Sequence, residues 1–130
     1  MKDGLAVVVK DIAGLSRWAA RVLGTLWCGL VVVFAIGEGM PSPSALPLPE
    51  QVAMAAAGLW ILGCVMGWRW DAAAAAVILL ASVVFHLIEG RLWLGWPLEL
   101  PTLVGLLYAA SWTCRTMGAT PGAPHGNAGI

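Results

Sequence analysis

The chain has 130 residues, of which 60% are hydrophobic and 11% charged, with seven Lys and Arg balancing seven Asp and Glu. Soluble domains carry about 25% charged residues, so a mean hydropathy of +0.85 with so little charge excludes an ordinary water-soluble fold. A net charge of zero excludes the basic footprint of a nucleic-acid binder.

Residues 1–20 read as an amphipathic interfacial helix. Leu5, Val8, Ile12, Leu15 and Trp18 recur at three- and four-residue spacing, with Lys2, Lys10 and Arg17 off that stripe. Such a helix lies in the headgroup plane of a bilayer. The alternative is a long start to the first spanning helix, and Gly4 and Gly14 weaken a helix in either case. The first span is expected over about 18–37, with Arg21 snorkelling to the headgroups. A secretory signal peptide fits poorly there. The preceding segment is too long for a basic n-region, and Gly-Glu-Gly-Met-Pro follows the apolar run in place of a small-residue cleavage site.

Pro41, Pro43 and Pro47 then mark an extended loop. Pro49 followed by Glu50 is a good helix start, and the second span is expected over about 49–68. The turn Trp68-Arg69-Trp70-Asp71 is so short that the second and third spans must be antiparallel neighbours. Asp71 is the expected N-cap of the third span, over about 71–89. The fourth starts at Pro97 or at Pro101. The earlier start, over 97–114, places Pro101 inside the helix and bends it. The later one leaves about fourteen residues, fewer than the roughly twenty a span normally needs. Residues 116–130, rich in Gly, Ala, Pro and Thr, are expected to be disordered.

Charge is sorted by sign between the spans. Lys2, Lys10, Arg17, Arg21, Arg69 and Arg115 fall on one side, whereas Arg91 shares the other with Glu38, Glu50, Glu89 and Glu99. By the positive-inside rule both termini are cytoplasmic. Trp18, Trp68, Trp70 and Trp112 then belong at the inner interface and Trp93 and Trp96 at the outer one, while Trp27 and Trp60 pack between helices.

Few polar groups reach membrane depth. Glu38, His86, Glu89 and Arg91 form the candidate polar cluster, because His86 and Glu89 share a helix face and Arg91 can neutralise either glutamate. Ionisable groups in spans often mark ion paths or proton relays. The competing reading is a structural ion pair at two helix ends. Gly63 and Gly67, four apart, form a candidate helix-packing seam, serving either an oligomer or the interior of one monomer. Cys28, Cys64 and Cys114 have no paired spacing, and a lone intramembrane histidine makes a poor ligand set, so no metal and no cofactor is expected. Phosphate loops, dinucleotide fingerprints and hydrolase elbows are missing. Ser82 lies four residues from His86 but is more simply explained as bonding its own helix backbone. An enzyme is therefore not expected.

Three short motifs carry a resemblance. Phe34-Ala-Ile-Gly37-Glu38-Gly39 closes the first span, Trp68-Arg69-Trp70-Asp71 forms the turn, and Gly95-Trp96-Pro97 precedes the last span, which carries the late Trp112. Over about 17–115 the chain resembles an uncharacterised prokaryotic family of small four-helix integral membrane proteins, a domain of unknown function. It departs from that pattern in the alanine-rich start of the third span. The resemblance implies architecture and no catalytic role. Small multidrug transporters have similar size, but their glutamate sits in mid-span, whereas Glu38 lies at a span's end, so that activity is not carried over.

The expectation is thus an all-α, four-helix transmembrane bundle with an N-terminal amphipathic helix, in a bacterial inner membrane. The first functional expectation is a non-enzymatic structural or accessory subunit whose partners are the lipid bilayer and either a second copy or a larger membrane complex. The second is a small proton- or cation-coupled transporter or channel using Glu38, His86 and Glu89.

Overall fold

The computed structural model describes residues 2–92, 95 and 98–118. The expectations for Trp93, Trp96, Pro97 and the tail from 119 onward lie outside the described residues. Among the described residues the fold is all-helical. There are four α-helices, α1 (Lys2–Glu38), α2 (Leu48–Met66), α3 (Asp71–Glu89) and α4 (Leu100–Gly118), with a 3-10 turn at Pro43–Ala45 before α2 and a four-residue turn between α2 and α3. Three of them, α1, α2 and α3, are long and apolar enough to cross a membrane. The helix α4 has the same 19 residues as α2 and α3 but carries more hydroxyl groups and Arg115.

Helix ends follow local chemistry. Gly39 and Gly90 adopt positive φ just after α1 and α3, a conformation that glycine alone reaches without strain. The Gly90 N–H donates to the His86 carbonyl and closes the last turn of α3. At the start of α2, Gln51 donates its side-chain amide to the Leu46 carbonyl across 2.9 Å.

At four places the structure departs from the local expectations or decides between them. First, α1 is one continuous helix of 37 residues, so the N-terminal segment is the long start of the first helix, the alternative given above. Its stripe of Leu5, Val8, Ile12, Leu15 and Trp18 stays exposed, while Ala13 on another face is buried. Second, α3 begins at Asp71 itself, with Trp70 in the cap position and no side-chain cap bond. Third, α4 begins at Leu100, so Pro101 occupies the first turn, where its missing N–H costs nothing and no interior bend arises. The Leu103 N–H donates to the Glu99 carbonyl to complete that turn. Fourth, α4 runs on to Gly118, beyond the expected limit of order at 115. Arg115 is tied to Asp71 at that end, which holds the last turns in place.

The helices alternate in direction. The broad interfaces join α1 to α4, α4 to α3 and α3 to α2, and a narrower one joins α1 to α2. The interior is built of small residues: Ala20, Ala56, Ala74 and Ala81 are buried, with Trp27, Trp60, Ile78, Val104 and Tyr108 as the large members. Close approach is literal at three glycines. A Cβ at Gly63 would lie 2.4 Å from Ile78, one at Gly67 2.2 Å from the Tyr108 ring, and one at Gly105 2.9 Å from Ile78. Many of the larger aliphatic side chains, and Phe34, face outward instead. Leu26, Val33, Phe34, Leu62, Val65, Leu80 and Leu87 are all exposed. Small side chains inside and large apolar ones outside is the packing favoured where the surroundings are as apolar as leucine.

Candidate functional site

At one end of the bundle, α3 turns the carboxylate of its first residue, Asp71, inward. That side chain is wholly buried and meets two arginines. The Arg17 Nε from α1 lies 3.2 Å from Oδ1, although its N–H is not aimed along that line, so the contact is ionic. The Arg115 Nη2 from α4 donates to Oδ2, as does the Ser111 hydroxyl at 3.3 Å. Carboxylates are also favoured at the positive end of a helix dipole. Asp71 therefore ties α1, α3 and α4 together. Beside it, Arg21 donates to the Trp68 carbonyl at 2.7 Å and lies over the Trp68 ring, which ties α1 to the turn after α2. The sequence reading missed this cluster because Asp71 looked like a cap. The signal available was its position in the shortest turn, at the end where the cations collect.

Toward the opposite end, aromatic packing and a polar chain meet. Trp27 and Trp60 pack edge to face at 5.5 Å, and Phe85 packs on Trp60 at 4.9 Å. These tryptophans sit between helices, as expected from their mid-span positions. The Trp60 indole donates to the Ser82 hydroxyl at 3.0 Å, and that hydroxyl donates to the Ile78 carbonyl at 2.9 Å. Ser82 thus bonds its own helix and is not aligned with an imidazole base. The His86 Nδ1 lies 2.7 Å from the Ser82 carbonyl and Nε2 lies 3.1 Å from Glu99 Oε1. A carbonyl can only accept, so Nδ1 carries a hydrogen. Nε2 is thereby turned toward the Glu99 carboxyl. A groove of about 720 Å³ beside this pair is lined by Leu79, Val83, His86 and Thr102, and the Thr102 hydroxyl is buried without a partner among the described residues.

The expected cluster is only partly assembled. His86 is placed in the bundle wall, but its carboxylate partner is Glu99, before α4, and not Glu89 or Glu38. Glu38, Glu89 and Arg91 are exposed, and no ion pair joins them among the described residues. The physical reason is rotation and reach. Glu89 follows His86 by three positions but points outward, whereas the turn into α4 brings Glu99 directly against the imidazole. The Gly63–Gly67 seam is taken up inside the monomer by Ile78 and Tyr108, so it is not free for a second copy. Cys28 and Cys64 touch across α1 and α2, and both thiols are free. No group of three metal-ligating side chains occurs among the described residues.

Comparison with known proteins gives one positive result. A family model described as a domain of unknown function, DUF7670, matches residues 9–119, which include all of α2, α3 and the cluster around Asp71. No curated protein and no solved structure matches the chain. The matched region covers most of the polypeptide and every helix interface described above, and the chain belongs to the DUF7670 family.

Proposed function

We propose that this chain is a non-enzymatic integral membrane protein that serves as a structural or accessory subunit, packed against further copies or within a larger membrane complex. One observation carries the reading. The buried polar side chains join helix to helix, at Asp71 and at Trp60–Ser82, while every helix also exposes large apolar side chains. Water would penalise that outer surface; lipid or a partner helix would not.

The same reading makes α4 a fourth crossing. It runs beside α1 and α3 from Glu99, against His86, to Arg115, against Asp71, so its ends lie level with those of α3. At 1.5 Å per residue its 19 residues reach about 28 Å, close to the hydrocarbon thickness. The end holding Arg17, Arg21, Arg69 and Arg115 faces the cytoplasm under the positive-inside rule, with both termini there. A bacterial inner membrane is the compartment in keeping with the prokaryotic family that the motifs resemble.

Mild-detergent purification of the tagged chain from its own membranes tests the reading. We expect an alkali-resistant membrane protein that migrates as an oligomer or brings down stoichiometric partners. A strictly monomeric species without partners counts against the subunit role.

The contact between His86 and Glu99, two ionisable groups in the bundle wall, favours a second reading, a small proton- or cation-coupled transporter or channel. Against it, Glu38 and Glu89 stand apart from that pair. Between Ser82 and Asp71 the buried face of α3 offers only Ala74, Ala75, Ile78 and Ala81, which leaves no polar path along that face. Liposome flux that depends on pH and is lost in Glu38→Gln would reverse the order of the two readings.

A further inference from the structure

We infer that the groove between the first turns of α1 and the last turns of α4 is a docking site for an anionic phospholipid, its phosphate held by Lys10, Arg17 and Arg115. The inference rests on the membrane reading above. The groove encloses about 630 Å³, and its walls combine those three cations with small or apolar side chains, among them Ala13, Gly14 and Val9.

Charge points to an anion. Of the three cations, Arg17 and Arg115 share a single buried carboxylate, Asp71, and Lys10 has no ion-pair partner among the described residues. The site therefore keeps an excess of two positive charges. Neither Asp3 nor Asp11 is among the described residues that line it. Donors remain available as well. Arg115 contacts Asp71 through Nη2, and its side chain is 47% exposed; Arg17 engages through Nε, and 32% of its side chain is exposed. Guanidinium groups suit phosphate because their planar fork presents paired donors.

Depth points to a lipid. Trp18 follows Arg17, Trp112 lies one turn before Arg115, and both rings are exposed. Indoles settle at the headgroup level, which puts the arginines at phosphate depth. Basic pockets between membrane helices on the cytoplasmic side are known places for acidic headgroups.

Two substitutions test the site without touching the Asp71 tie. Lys10→Gln removes one cation that holds no partner. Gly14→Leu fills the groove, and it improves helix propensity at a position where an added Cβ meets nothing within 4 Å. The full-length protein in neutral detergent is titrated with phosphatidylglycerol, with phosphatidylcholine, and with inorganic phosphate. Bound lipid is read by native mass spectrometry and thermal stability by tryptophan fluorescence. We expect phosphatidylglycerol to bind and raise the melting temperature, phosphatidylcholine and inorganic phosphate to do neither, Lys10→Gln to weaken binding roughly fivefold, and Gly14→Leu to abolish it. Equal binding of the two lipids, an unchanged affinity in both variants, or full replacement of the lipid effect by inorganic phosphate overturns the inference. A protein that fractionates with membranes yet shows no lipid preference loses the docking site and keeps the membrane reading.

Discussion

Asp71 has a wholly buried side chain yet belongs to a residue type rarely left without water. It is tolerated because two donors from α4, Arg115 and Ser111, and the Arg17 cation from α1 reach it. Removing one partner of a buried ion pair commonly costs about 3–5 kcal/mol. Arg115 remains about half exposed, so water screens part of that cost, and we expect about 2 kcal/mol for Asp71→Asn. The measurement is thermal unfolding in detergent, with Arg17→Gln and the double variant completing a cycle. A coupling near zero would show that the contact does not hold the helices. Glu38→Gln, at an exposed helix end, should leave the melting temperature unchanged.

Glycine decides which helix faces meet. At Gly67 a methyl group would sit inside the Tyr108 ring, and Tyr108 is fully buried with no room to retreat. We expect Gly67→Ala to destabilise the bundle by about 1–3 kcal/mol. Gly58→Ala, within α2, meets nothing within 4 Å and should be neutral or slightly stabilising in the same unfolding assay. The long α1 is tested by a cross-link. A Cβ at Gly118 would lie 4.0 Å from Val9 Cγ1. In a background with Cys28, Cys64 and Cys114 replaced by alanine, Val9→Cys with Gly118→Cys should form an intramolecular disulfide on mild oxidation, seen as faster migration on non-reducing gels. A separately lying N-terminal helix would prevent it.

Over the whole molecule, cations gather at one end with Asp71, and Glu38 and Glu89 close helices at the other. This asymmetry predicts topology. In the same cysteine-free background, Arg69→Cys should be labelled by impermeant maleimide only after the membrane is opened. Ser42→Cys, in the exposed loop before α2, should be labelled in intact cells. The reverse pattern would invert the orientation.

Periodicity, apolar length and charge spacing in the sequence were enough to locate the helices, the direction changes between them and the polarity of the two ends. Each of these depends on neighbours a few residues apart, or on how many apolar residues lie in a row. The partner of His86, the inward turn of Asp71 and the occupant of the Gly63 and Gly67 face depend on something else. They follow from how four helices rotate and slide against one another, which brings residues 13 to 54 positions apart into contact. Spacing along a helix had pointed to Glu89 for His86 and to a cap for Asp71. Packing chose Glu99 and two arginines, because only the assembled bundle sets which side chains share a depth and a face.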